Sequence, residues 1–292
     1  MPDGPPRPRA RWLAWGLSAL LLTGCGQDAT EPAQVVTEDP GPVHVHGLGV
    51  NPADGALFVA THTGLFRAAK GESRSRRVAD RYQDTMGFTV VGPDRFLGSG
   101  HPDQQERLPP FLGLIESSDA GATWRAVSLE GKADFHVLEA SGSRVYGYGS
   151  DFESREERFL TSSDGGRTWK RLDAPEALIS LAISPGDPRR VVASGVRRAY
   201  SSRDGGRSWS ALDVPSGGLL AWTPGGLFLV DLRGRVWRQG DGSGEWRSRG
   251  AVQAEPAAFD SGMGDELLIA LHDGKIVRSV DGGRTWSVRS EP

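Results

Sequence analysis

The sequence predicts an all-β protein, a six-bladed β-propeller with four-stranded blades. Three observations carry that reading. An eight-residue phrase occurs four times: SSDAGATW ending at Trp124, SSDGGRTW ending at Trp169, SRDGGRSW ending at Trp209 and SVDGGRTW ending at Trp286. The tryptophans at 124, 169, 209, 246 and 286 lie 45, 40, 37 and 40 residues apart. A period near 40 means one supersecondary unit used several times. Glycine is abundant, 40 of 292 residues, as a turn-rich β protein requires.

The repeated phrase has a physical logic. Asp119, Asp164, Asp204 and Asp281 are placed to accept backbone N–H groups of a tight turn, and glycine two residues on permits angles a Cβ would forbid. Trp124, Trp169, Trp209 and Trp286 then set a large apolar ring beneath the hairpin. The pattern Ser-x-Asp-x-Gly-x-Thr/Ser-Trp resembles the Asp-box of sialidase-like β-propellers. These residues are read as structural, not catalytic.

Taken in chain order, Arg7, Arg9 and Arg11 precede a short apolar run, Trp12 to Leu22, too short to span a bilayer comfortably. The run ends in Leu22-Thr23-Gly24-Cys25, which resembles the lipobox of bacterial lipoproteins. That resemblance implies a signal peptide over 1–24 and a lipid on Cys25, a firm membrane anchor where two or more acyl chains are present. Cys25 is the single cysteine, so no intrachain disulfide forms. Residues 25–42, rich in Pro, Glu, Asp and Thr, read as a flexible tether, with the propeller over 43–292.

The blades are expected at 43–80, 83–129, 133–173, 176–213, 217–252 and 255–290. In the third, FHVLEA, RVYGYGS, RFLTSS and WKRL give four strands by apolar alternation and β-branched content. The fifth closes on a degenerate phrase, GDGSGEW, which keeps Asp241 before Trp246. A ring of such blades leaves only short, protected edges. Blades one and six both look complete, so closure by blade-to-blade packing is expected unless Gln34 to Thr37 adds an outer strand.

If the first strand of each blade starts at one end, here the top, the loop between strands two and three is also at the top. The repeated turns then lie at the bottom. All six histidines map to the top: His44, His46 and His136 at starts of first strands, His62, His101 and His272 after second strands. Met86 belongs to the same zone, and Asp103, Asp151, Asp231 and Asp273 stand in neighbouring top loops. His44 and His46 are two apart, so they share a strand face. Neutral imidazole is a common metal ligand and acid/base. Such a set suits copper or zinc, with carboxylates completing the site. The alternative is that the histidines bond loop backbones and plug the channel.

HVHGLGVNP, ATHTGLFR, DTMGF, GSGHPD, GLIESSDAGATW and ADFH together resemble a bacterial family of secreted Asp-box proteins commonly labelled glycosyl hydrolase or sialidase-like. The resemblance covers about residues 43 to 290 and implies a sialidase-like propeller. Sialidases use an arginine triad, a Tyr–Glu nucleophile pair and an Asp acid. Their Arg-Ile/Leu-Pro signature is absent here, and none of Tyr82, Tyr146, Tyr148 and Tyr200 is placed as a top-face nucleophile. Arg197, Arg198 and Arg233 read as solvated loop charges. A glycosidase needs two carboxyls about 5–9.5 Å apart across the sugar. Asp103, Asp151, Asp231 and Asp273 are the candidates. No GxSxG elbow appears, and the Gly runs are hairpin turns, not phosphate loops.

Net charge is −3 with basic residues scattered, so nothing points to nucleic acid. The expectation is a membrane-anchored, extracytoplasmic monomer. It would bind a metal ion, small ligand, glycan or partner protein through a His/Asp-lined top pocket. A glycoside hydrolase acting on extracellular glycans, and an assembly or scaffold factor resembling photosystem assembly propellers, are the alternatives.

Overall fold

A computed structural model describes residues 39–240 and 244–292. The signal expected over 1–24 and residues 25–38 of the tether expected over 25–42, with Cys25 and Gln34 to Thr37, lie outside the described residues, as does Asp241. Among the described residues, no helix is long and apolar enough to cross a membrane.

The described residues form twenty-four strands in six antiparallel sheets of four, each from consecutive strands. Blade one is β1 (Val45–Val50), β2 (Leu57–Thr61), β3 (Gly64–Ala68) and β4 (Arg76–Arg77). Blade two is β5 (Asp84–Gly92), β6 (Arg95–His101), β7 (Leu114–Ser117) and β8 (Arg125–Ser128). Blade three is β9 (Ala133–Ser141), β10 (Arg144–Asp151), β11 (Glu157–Ser162) and β12 (Lys170–Leu172). Blade four is β13 (Ser180–Ser184), β14 (Asp187–Ser194), β15 (Ala199–Ser202) and β16 (Ser210–Ala211). Blade five is β17 (Leu219–Thr223), β18 (Gly226–Val230), β19 (Arg235–Gln239) and β20 (Arg247–Ala251). Blade six is β21 (Pro256–Ser261), β22 (Leu267–Leu271), β23 (Ile276–Ser279) and β24 (Ser287–Ser290). The chain is therefore the six-bladed, all-β propeller that its repeats predict.

The core is not one mass but six apolar seams, each between neighbouring blades. Phe58, Leu65, Phe88 and Phe96 join blades one and two, with Trp124 packed against them. Leu97, Leu114, Phe135 and Val145 join blades two and three beside Trp169. Trp209, Trp246 and Trp286 occupy the corresponding places at the next three seams. Each repeated turn thus fastens its own blade to the one before it.

The turn's hydrogen bonds explain its residues. Ser162 Oγ donates to Asp164 Oδ1 at 2.7 Å and accepts the Gly166 N–H at 2.9 Å. The Thr168 N–H donates to Asp164 Oδ1 at 2.9 Å, and its hydroxyl to Oδ2 at 2.6 Å. Asp119, Asp204 and Asp281 repeat this set. These bonds, the Thr or Ser hydroxyl first, hold all four carboxyls below the usual carboxylate range. Gly166 has φ +84°, and a Cβ there would overlap Leu114 of the preceding blade. Glycine is required twice over, by angle and by space.

Ring closure follows the expectation of packing. Val45, Leu48 and Leu57 of blade one meet Ala258, Leu268 and Ala270 of blade six. A short backbone seam reinforces it: Arg74 and Glu291 form a parallel bridge, and the Glu291 N–H donates to Ser73 O at 2.8 Å. Arg289 Nη1 donates to Glu72 O at 2.7 Å.

Candidate functional site

The first strands of blades one, two, three and six share an irregularity at their top ends. Pairing slips between Val45 and Gly47 in β1, between Thr85 and Gly87 in β5, opposite Tyr148–Gly149 in β9, and between Pro256 and Ala258 in β21. A bulge leaves one residue unpaired and re-aims its side chain. The bulged residues are His46, Met86, His136 and Ala257. Two positions earlier stand His44, Asp84, Asp134 and Glu255. Facing those, at the ends of the second strands, are His62, His101, Ser150 and His272.

A rule follows from this alignment. The second-strand histidine of one blade reaches the first-strand carboxylate of the next. His62 Nδ1 of blade one lies 2.9 Å from Asp84 Oδ2 of blade two. His101 Nε2 of blade two lies 3.4 Å from Asp134 Oδ2 of blade three. His272 of blade six faces blade one, where the corresponding residue is His44. Blade one offers it no carboxylate; it is exposed, and its ring makes no hydrogen bond or ion pair among the described residues.

Two clusters result. In the first, His46 Nε2 is 3.2 Å from His62 Nδ1 and 3.9 Å from Asp84 Oδ1. One ligand atom from each of His46, His62 and Asp84 lies within 4.8 Å of the others. The His44 ring stands 5.2 Å from that of His62, edge to face. In the second, Asp134 Oδ2 accepts from His136 Nε2 at 2.9 Å and faces His101. The Asp134 side chain is only 4% exposed.

Charge separates the clusters. Burial, then the neighbouring His62, lowers His46 to about 4, so its ring is neutral at pH 7. The bond to Asp134 raises His101 to about 9 and also raises His136. Burial pushes the Asp134 carboxyl up, but the bonds from His101 and His136 outweigh it and hold it at about 2. Geometry independently makes His101 an imidazolium. Its Nδ1 lies 2.8 Å from Pro110 O, an acceptor only, while Nε2 faces the carboxylate. His101 is a cation with both nitrogens engaged and does not serve as a ligand.

The four loop carboxylates expected at the site are bonded to backbone and side chains near their own loops. Met86 occupies its bulge, half-buried. Asp103 accepts the Gln105 N–H of its own loop and the Tyr82 N–H of the segment leading into β5. Asp151 accepts from Ser154 and pairs with Arg158 at 2.6 Å. Asp231, buried, accepts from the Arg233 and Arg235 backbones and pairs with Arg235 at 2.7 Å. Asp273 caps its turn at the Lys275 N–H. These carboxylates hold their own loops because each sits where a loop N–H needs an acceptor.

Four residues escaped sequence reasoning: Asp84 and Asp134 in the clusters, and Glu139 and Asp260 below them. His46, His136, Glu139 and Asp260 line a cavity of about 80 Å³ in the upper channel. Glu139 and Asp260 also line one of about 470 Å³ at the bottom mouth. Burial raises both carboxyls, and Asp260 adds its charge against Glu139. A signal for the first pair was present. Asp84-x-Met86 and Asp134-x-His136 align with His44-x-His46 once the blades are superposed by period.

The first cluster fits a transition-metal ion. Ligands about 2.0–2.1 Å from a tetrahedral ion stand roughly 3.3 Å apart. His46 Nε2 and His62 Nδ1 stand 3.2 Å apart, close to that edge, while Asp84 presents Oδ2 at 2.9 Å from His62 and Oδ1 at 3.9 Å from His46. Asp84 Oδ1 is buried and has no hydrogen-bond partner among the described residues. A buried polar atom without a partner is a rare, costly state that a cation relieves.

No family model and no curated protein matches the chain. Solved structures share its fold. A chain of the nidogen/laminin complex superposes with TM-score 0.59 at 11% identity, covering 81% of this chain and 93% of that one. An ancestral GH74 enzyme gives 0.55 at 12%, covering 87% and 39%. PorZ, a surface component of the type-IX secretion system of Porphyromonas gingivalis, gives 0.52 at 13%, covering 86% and 38%. The chain spans about two fifths of the length of the last two. At these identities the likeness is one of fold.

Proposed function

We propose that this is an extracytoplasmic lipoprotein, anchored through Cys25, whose propeller binds a zinc or copper ion at His46, His62 and Asp84. The observation that carries the reading is the convergence of three donor atoms from two blades within 4.8 Å. Nitrogen and carboxylate donors suit zinc and copper(II). The neutral ring of His46 supports it, since ligation needs an unprotonated nitrogen.

The glycoside hydrolase alternative draws less support. It needs two carboxyls free to face a sugar. Asp103, Asp151, Asp231 and Asp273 each spend oxygens on their own loop.

Calorimetry with zinc and with copper(II) tests the metal reading. The parent should bind one ion per chain, and His46→Ala should weaken binding by at least tenfold. Met86→Leu should leave it unchanged. Equal binding by parent and His46→Ala, or none by either, rejects the site. The anchor is tested separately. Cys25→Ser should move the protein out of the membrane fraction, and a Ser variant that stays bound like the parent contradicts lipidation.

A further inference from the structure

We propose that the top face of the propeller rests on an anionic lipid bilayer, with Val196 and Leu232 inserted among the headgroups and Arg197, Arg198 and Arg233 on lipid phosphates. The proposal rests on the lipid-anchor reading and adds to it which face meets the membrane and through which residues.

The distribution of exposed apolar side chains is the first observation. Nine large ones are exposed among the described residues. Six of them, Val43, Tyr82, Leu108, Phe152, Val196 and Leu232, stand in top loops of blades one to five or the segments leading into them. Val196 is 56% exposed and Leu232 37%. Scattered single apolar residues need no explanation, whereas their concentration on one face points to a contact surface.

Charge is the second. Val196 is followed by Arg197 and Arg198, and Leu232 by Arg233, all exposed and making no ion pair among the described residues. The two loops form one ridge. A Cβ on Gly217 would overlap the 195–197 backbone, and one on Gly218 the 230–231 backbone. Asp231 is buried and bonded to Arg235. Even with Glu176 beside Gly195, the ridge carries surplus positive charge. Apolar side chains flanked by arginines are what a lipid interface takes. The apolar part enters the acyl boundary, and the guanidinium reaches back to phosphate.

The path of the chain is the third. Residues 40–44 lie on this same face. Thr63 Oγ1 donates to Gly41 O at 2.6 Å, and the His62 N–H to Val43 O at 3.2 Å. Cys25 is 15 positions before Pro40, a reach of at most about 50 Å fully extended. A lipid at Cys25 therefore keeps the propeller within that reach of the bilayer at high effective concentration, with the chain leaving from the top face, and a weak interfacial contact there suffices.

The test uses the lipidated chain in vesicles of phosphatidylcholine with phosphatidylglycerol. Cysteine is introduced by Leu232→Cys at the top or Met263→Cys at the bottom, and labelled with an environment-sensitive dye. A lipidated Cys25 does not react. The dye at 232 should brighten several-fold and shift to the blue, and the dye at 263 should not. Arg197→Glu with Arg198→Glu, or omission of phosphatidylglycerol, should abolish the change at 232. A chain that floats with the vesicles while both dyes stay unchanged, or both change, overturns the face and leaves the anchor standing. A chain with no lipid by mass whose 232 dye still responds overturns the anchor alone. One with neither lipid nor response overturns both.

Discussion

At the residue scale, one glycine and one aspartate show how local chemistry decides. Gly165 and Gly166 both have positive φ, +74° and +84°. Only at Gly166 would a methyl strike a packed side chain, Leu114; at Gly165 the nearest neighbour is the flexible end of Arg167, 3.4 Å away. Gly166→Ala should therefore cost about 2–4 kcal/mol, from left-handed strain plus overpacking. Gly165→Ala should cost only about 1–2 kcal/mol from strain. Urea melts of the two check this, and equal losses would contradict the seam geometry. Asp134 sets a pH dependence. His101, raised to about 9, stabilises fully below its unfolded value of about 6.5 and loses that contribution as pH rises through about 9. Asp134, held at about 2, contributes above about 3.9 and fails only as pH falls through about 2. His46 opposes: its pKa of about 4 penalises folding progressively as pH falls below about 6.5. Asp134→Asn should lower the melting temperature at pH 6, and its gap to the parent should shrink by pH 9.5. An equal gap at both values would show that the His101–Asp134 pair does not titrate as described.

At the element scale, the repeated turn was legible in sequence because its chemistry is local. Asp164, its Thr168 partner and Gly166 fall within five residues. Which surface Trp169 covers was not legible, because its partners Leu114 and Phe135 belong to two different blades. Its indole N–H donates to Ser128 Oγ of blade two at 2.9 Å. Trp169→Ala should destabilise by about 3–5 kcal/mol, the range for a truncated buried aromatic. The loss lies at the blade two–three seam, remote from the histidines. Metal affinity in the folded fraction should stay at the parental value, and a melt unchanged by the substitution would contradict the seam. The bulges were the other hidden element. Alternation alone places His44 and His46 on one face, whereas the slip at His46 gives it its own direction. In that direction His46 meets His62 and, from the next blade, Asp84.

At the scale of the molecule, the period of the tryptophans gave blades two to six, the segment from His44 gave the first, and the up-and-down path of the strands put the six histidines at one end. The pairing across blades lay beyond it. Each contact joins residues of different units, His62 to Asp84 and His101 to Asp134, and depends on which chemical type the next blade presents. His272 is left out for the same reason, since blade one offers His44. Ring closure through Arg289 and Glu291 likewise depends on the two ends meeting in space. The proposed metal site lies at the seam of blades one and two. The most direct test is a diffraction map from crystals grown with zinc, recorded at the zinc absorption edge. One anomalous peak per chain is expected, bonded by His46 Nε2, His62 Nδ1 and an Asp84 oxygen at about 2.0–2.2 Å. No peak there, or a peak confined to His272 or to the His101–Asp134–His136 cluster, would contradict it.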